Sequence, residues 1–257
     1  MDRRVGLKLM LFDCWRLLDG RRLITVPWRS QRLVAFLTLR GPQCRGLLAG
    51  ALWPDVDESH AQASLRAALS ALNRKAPGVI ETSNGDIWLA DVVWVDIDEF
   101  QRHADLVFSG EATVLTTALH DPSVVGGDLL PGWSDGWVVL ERERLQHVRL
   151  HVLEAWSRAL VERGAYAHAL EVALRAVEID PLRESARRSV INVHLVEGNL
   201  ADALREYERF RVMLRDELGV GPTKGMTELV RRATRADRFE HVARCANQVR
   251  DASANKL

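Results

Sequence analysis

Residues 57–75 read DESHAQASLRAALSALNRK. Ala61, Leu65, Ala68, Leu69 and Leu72 recur at steps of three and four, so a helix gathers all five on one side. Asp57 or Ser59 can cap it, because a short side-chain oxygen accepts a backbone N–H left free in the first turn. The same helix turns Ala63, Arg66, Ala67, Ser70 and Arg74 outward, with His60 and Asn73 flanking. That outer face lacks the Glu–Lys pairs at (i, i+4) that solvated helix faces usually carry. Its short side chains permit close approach to another surface, and arginine reaches guanine edges or phosphates. An ordinary amphipathic helix with an inert outer face shows the same periodicity, so the flanking sequence has to decide.

Upstream, Leu7 to Phe12 and Arg22 to Val26 read as strands, with Asp19-Gly20 as a hairpin signal between them. Ser30 to Leu39 is a helix with Leu33, Phe36 and Leu37 on one stripe, ended by Gly41-Pro42. Arg45 to Leu52 is a short second helix, and the 57–75 stretch is the third. Downstream, Val79 to Thr82 and Ile87 to Leu89 read as strands joined through Ser83-Asn84-Gly85-Asp86, where Asn-Gly is a strong hairpin signal. A small sheet, three helices and a hairpin make either a small α+β domain with no nucleic-acid partner or a trihelical DNA-binding unit with a wing. In such a unit the third helix enters the major groove, the second crosses the backbone, and the hairpin is the wing.

Charge distribution agrees. The 257 residues have no net formal charge, yet residues 1–80 hold 13 Lys/Arg against 6 Asp/Glu. A basic front on an acidic remainder fits a polyanion-binding module joined to something else. The length suits two domains, each with its own core. Cys14, Cys44 and Cys245 are odd in number and widely spaced, which predicts neither a disulfide framework nor a zinc site and points to a reducing cytoplasm. The N-terminal run MDRRVGLKLMLFDCW lacks a signal-peptide pattern, and no apolar run reaches the length of a membrane span.

The run LLAGALWPD, Leu47 to Asp55, followed by AQASLRAALSAL, Ala61 to Leu72, resembles the Streptomyces antibiotic regulatory protein (SARP) family, bacterial regulators with an OmpR-type winged helix. Val93 to Phe100, VWVDIDEF, looks like the family's link into its second domain. The chain departs from the pattern at Ala71 and Asn73, where the family usually has arginine, and at the wing tip, where Asn84 and Asp86 flank Gly85. Fewer phosphate contacts predict weaker DNA binding with a shallower salt dependence.

Beyond Asp96 the pattern is helical. Phe100 to Ser109 is a short helix, Gly126 to Trp133 a turn-rich connector, and Trp137 to Arg163 a long helix with Leu145, Val148, Val152, Leu153, Trp156 and Leu160 inward. Gly164, Tyr166, Ala169 and Leu170 then recur as Gly198, Leu200, Ala203 and Leu204. The offset of 34 at each position is the tetratricopeptide period. Ala173, Ala176 and Pro181 suit that repeat, and the second copy has Tyr207, Phe210 and Arg215 instead. The ending Glu217-Leu218-Gly219-Val220-Gly221-Pro222 is similar to the bacterial transcriptional activator domain of the same family.

Catalytic patterns are missing. Gly219 to Gly225 lacks phosphate-loop spacing. His147, His151 and Glu154 share a helix face but have no further ligand at motif spacing. Asp96 and Asp98 lie on one side of a strand-like segment, an arrangement open to acid–base work, but capping of the next helix suits them better. No enzyme, cofactor or metal is expected.

The expected fold is mostly α with a small β component: a winged-helix DNA-binding domain over 1–95, an all-helical tetratricopeptide-like domain over 96–230, and a polar tail over 231–257. The expected function is sequence-specific binding of double-stranded DNA to regulate transcription. Arg66, Ser70 and Arg74 would face bases and phosphates, with His60 and Asn73 at the edges; Lys75 and Arg45 would clamp phosphates, and Ser83 and Asn84 would carry the wing. The resemblance implies an activator that binds promoter direct repeats as side-by-side protomers and recruits RNA polymerase. The alternative is a tetratricopeptide adaptor whose winged helix binds protein.

Overall fold

The three expected helices are α1 (Trp28–Arg40), α2 (Arg45–Leu52) and α3 (Glu58–Lys75) in a computed structural model that describes residues 6–109 and 127–236. Their apolar stripes meet in one cluster. Leu33, Phe36 and Leu37 of α1 pack with Leu48, Ala49 and Leu52 of α2 and with Ala61, Leu65, Ala68 and Leu69 of α3. Where α1 meets α3, the buried Ser30 hydroxyl donates to the Ala68 carbonyl at 2.8 Å. Serine is small enough for the helices to approach there, and the hydrogen bond satisfies its buried hydroxyl.

Two small sheets flank the helices. The first has the order β3-β2-β1-β7, with β1 Leu7–Met10, β2 Arg16–Asp19, β3 Arg22–Leu23 and β7 Trp94–Val95. β1 runs antiparallel to β2, from Leu7↔Asp19 to Met10↔Arg16, and parallel to β7 through Lys8↔Trp94 and Leu9↔Val95. The sequence reading lacked β2 and made β3 too long. Only Leu17 of β2 is buried, so its alternation is too short to stand out. Beyond Leu23, Ile24 still donates to the Leu17 carbonyl at 2.8 Å, but Pro27 has no N–H with which to extend a ladder. The second sheet, β4-β6-β5, joins β4 (Gln43–Cys44) to the wing strands β5 (Ile80–Ser83) and β6 (Asp86–Leu89).

α4 (Asp96–Phe108) starts four residues earlier than its apolar pattern suggested. Asp96 explains the difference. Its buried carboxylate accepts the Leu11 amide at 2.8 Å and the Phe12 amide at 3.0 Å, and so ties the helix start to the chain leaving β1. Asp98 is exposed, so the two carboxylates point to different surroundings and do not form an acid–base pair.

Residues 127–146 pack against this same unit. Phe12 and Leu129 form a β-bridge, Asp13 N–H donates to the Asp128 carbonyl at 2.8 Å, and Leu130 N–H donates to the Leu11 carbonyl at 2.9 Å. Arg142 gathers the carbonyls of Leu129, Leu130 and Trp133 at 2.8 to 3.2 Å. Trp133 meets Trp28 in a tilted ring contact at 4.2 Å, Trp137 meets Phe36 edge-on at 5.1 Å, and Arg32 pairs with Asp135 at 2.5 Å. The described residues therefore divide into one compact unit of 6–106 with 127–146, and another of 147–236 with 107–109. Gly126, Cys245 and the tail beyond residue 236 lie outside the described residues.

The second unit is helical: the later turns of α5 (Gly136–Glu162), then α6 (Tyr166–Ile179), α7 (Glu184–Glu197), α8 (Leu200–Leu218) and α9 over 224–236. The repeat is visible in the backbone. Gly164 and Gly198 both have positive φ, 73° and 87°, and Ala169 and Ala203 are both fully buried. The copies diverge where the sequence does. α6 stops before Pro181, whereas Arg215 retains an N–H and α8 runs on to Leu218. Phe210, at the position of Ala176, is buried against Ile191, Leu214, Met226 and Val230, so the larger ring fills the space under α9. A buried ion pair, Arg187 with Glu206, joins α7 to α8.

Asp96→Ala should destabilise the protein by about 2–4 kcal/mol in urea unfolding, since it strands two buried amides. Asp96→Asn keeps an acceptor and should cost less. Burial holds the Asp96 carboxyl above its usual 3.8, against the opposing hydrogen bonds from Phe12 and Leu11. The native state then holds that proton more tightly, so wild-type stability should fall, relative to Asp96→Asn, as pH rises from 3.8 through the raised value. Parallel pH profiles would contradict this.

Candidate nucleic-acid interface

α3 is set by its inner face. Ala61, Leu65, Ala68, Leu69 and Leu72 are all buried, at 8% exposure or less. The outward residues Ala63, Arg66, Ala67, Ser70, Asn73, Arg74 and Lys75 are exposed. Among the described residues, the side chains of Arg66, Ser70, Asn73, Arg74 and Lys75 make no hydrogen bond or ion pair. Arg74 and Lys75 stand in the last turn, where they also complement the helix dipole.

The start of α3 is held by Asp57. Its carboxylate accepts the His60 backbone N–H at 3.0 Å, the Ser59 hydroxyl at 2.8 Å, and contacts the His60 ring nitrogen at 2.6 Å. His60 is exposed, yet its ring is engaged in this cap rather than free like Arg66. The His60 backbone bond first, then Ser59 and the His60 ring, hold the Asp57 carboxyl well below its usual range.

The wing turns through Asn84 and Gly85, with φ of 51° and 88°. Two successive positive values define the type I′ hairpin turn, which asparagine and glycine tolerate best. Its tip is anchored from the other side: Cys44 pairs with Asp86, and Arg45 N–H donates to the Gly85 carbonyl at 3.2 Å. Arg45, at the start of α2, is thereby placed beside Ser83 and Asn84, and all three side chains are exposed. β4, which makes this link, is two residues long and gives no readable pattern. Sequence reading also passed over Leu47, 69% exposed on α2 because it sits one position off the Leu48–Leu52 stripe.

Other candidates have structural roles. Glu154 pairs with Arg183 at 2.7 Å, so it is not held open beside His151. Gly219 caps α8 with φ of 69° and its N–H on the Arg215 carbonyl, which accounts for the first glycine of the loop-like run. No cluster of three His, Cys, Asp or Glu suited to a metal occurs among the described residues, and none of their helices is long and apolar enough to cross a membrane.

Residues 95–233 match the model of the bacterial transcriptional activator domain. The chain belongs to this family. The SARP resemblance holds as well, and the family is one of transcriptional regulators. The regulatory protein AfsR of Streptomyces coelicolor is 30% identical over 237 residues, 87% of this chain and 23% of its own length. The AfsR of Streptomyces griseus is 28% identical over 250 residues, 91% of this chain and 24% of its own length. The chain thus spans about a quarter of the length of the curated relatives it matches. Among solved structures, Mycobacterium tuberculosis EmbR, determined with a low-affinity phosphopeptide, is similar in fold with a TM-score of 0.73 at 19% identity, over 90% of this chain and 65% of that one.

Asp57→Ala in this family member should lower the melting temperature at pH 7. A carboxyl depressed in the folded state stabilises above its ordinary value of 3.8 and loses that contribution as pH falls through the depressed value. The gap between variant and wild type should therefore persist across mildly acid pH and close only in strong acid. A gap that closes between pH 7 and 5 would contradict this cap.

Proposed function

We propose that the chain binds double-stranded DNA in a sequence-specific manner, with α3 in the major groove, α2 across the backbone and the β5–β6 wing on neighbouring phosphates or minor groove. The observation that carries this reading is the outer face of α3, exposed along its length and free of intramolecular partners among the described residues. Arg66 is placed for a bidentate contact with guanine, since its guanidinium fork matches O6 and N7 together. Arg74, Lys75 and Arg45 meet phosphates, Ser70 and Asn73 add polar contacts, His60 stands at the edge, and Ser83 and Asn84 form the wing contact.

In keeping with the family, the protein acts as an activator, binds promoter direct repeats as adjacent protomers, and contacts RNA polymerase. Residues 1–95 serve DNA binding and 96–230 serve protein contacts. Its place of action is the cytoplasm, and it performs no catalysis.

On a duplex that the wild type selects, Arg66→Ala should weaken binding by about 1–3 kcal/mol and relax the preference at one base pair. An unchanged binding curve would remove Arg66 from the interface. Four cations, Arg45, Arg66, Arg74 and Lys75, set the electrostatic contribution. The slope of log affinity against log salt should be no steeper than about −4 per bound protomer. A much steeper slope would show that other phosphate contacts dominate. Binding of every duplex alike, with tight capture of protein partners through α3, would favour the adaptor.

A further inference from the structure

Among the described residues of the helical unit there is a cavity of about 570 Å³ between α5, α7 and α9. Its size falls within the ordinary range of ligand sites. Glu154 and Arg158 line it from α5, Ser185, Arg188 and Asn192 from α7, and Leu229 from α9.

Two of these side chains are left without a match. On a helix, an arginine can pair with a carboxylate one turn away. In this unit Arg175 pairs with Glu171, Arg205 with Asp202 and Arg211 with Glu208. Arg158 and Arg188 also have glutamates four residues earlier, at Glu154 and Glu184, but both are taken. Glu154 accepts from Arg183 Nε at 2.7 Å and from the Ser185 hydroxyl at 2.6 Å. Glu184 accepts the Thr223 backbone N–H at 2.8 Å and the Thr223 hydroxyl, at the entry to α9. Among the described residues, the exposed Arg158 and Arg188 and the half-buried Asn192 have no hydrogen-bond or ion-pair partner. Glu154, the one carboxylate in the lining, is paired with Arg183, and two guanidinium groups line the cavity without a partner among the described residues.

We propose that this cavity binds a short acidic segment of a partner protein. Arg158 and Arg188 pair with its carboxylates, for which the guanidinium fork is geometrically suited. Asn192 offers both a donor and an acceptor to the segment's backbone. Val161 and Leu229 offer contact for an apolar side chain beside the acids. Nucleic acid fits less well, because no aromatic ring lines the cavity to stack a base. None of the DNA-facing residues lines this cavity, so peptide binding and DNA binding are separable.

The test is fluorescence anisotropy of the full chain with labelled short peptides that vary in the number and spacing of Asp and Glu, each matched to its Asn/Gln counterpart. Acidic members should bind, their amide counterparts should bind at least about tenfold more weakly, and added salt should weaken binding. The double variant Arg158→Gln/Arg188→Gln should lose the preference for acids, with its melting temperature unchanged because both side chains are exposed. Arg66→Ala should bind the peptides as wild type does. Three results would overturn the proposal: no acidic peptide binds, acid and amide peptides bind alike, or the double variant binds like wild type. Full displacement by glutarate at matched carboxylate concentration would overturn it too, in favour of a small dicarboxylate ligand.

Discussion

The rotational setting of α3 is the constraint on which the interface depends. Leu65 and Leu72 are fully buried, Leu65 within the cluster that α3 shares with α1 and α2, while Arg66 and Asn73, one position along, are exposed. One residue of rotation is about 100° on a helix with 3.6 residues per turn. A slip of that size would drive the Arg66 guanidinium into an apolar core with no carboxylate to receive it, at a desolvation cost larger than any gain in packing. The core thus aims the outer face, and Ser30 at the α1–α3 contact and Asp57 at the helix start hold it in that position.

The same logic extends to the sheet and the connector. Asp96 binds the chain leaving β1 to the start of α4, across 85 residues of sequence. Arg142 holds three carbonyls of the connector, and Trp133 and Trp137 cover Trp28 and Phe36 of α1. The winged-helix unit is therefore completed by residues that follow it at some distance in the chain. In the helical unit the diversion of Glu154 to Arg183 and of Glu184 to Thr223 has two effects at once: it fastens α5 to the start of α7 and α7 to the entry of α9, and it leaves Arg158 and Arg188 without a partner among the described residues.

Periodic and local features were legible in the sequence. All five apolar residues of α3 are buried, the Asn84-Gly85 turn has the two positive φ values its type needs, and the 34-residue offset reappears in the helix starts and buried alanines. Each of these is written in a few neighbouring residues. β2 and β4, two to four residues long, are defined by their pairing partners rather than by a pattern of their own. The grip of Asp96 on Leu11 and Phe12, and the pairing of Glu154 with Arg183, join residues far apart in sequence, so only the folded chain reveals them. The engagement of the His60 ring by Asp57 was concealed for another reason: an exposed histidine beside arginines looks like a ligand contact until its partner is seen.

The most direct measurement is selection of binding sites by the full chain from a random pool of double-stranded DNA at moderate salt. An enriched motif, repeated at a spacing near one helical turn, is the expected result and would identify the sequence that the exposed face of α3 reads. A pool that stays random at protein concentrations where non-specific binding is already visible would contradict sequence-specific recognition by this face.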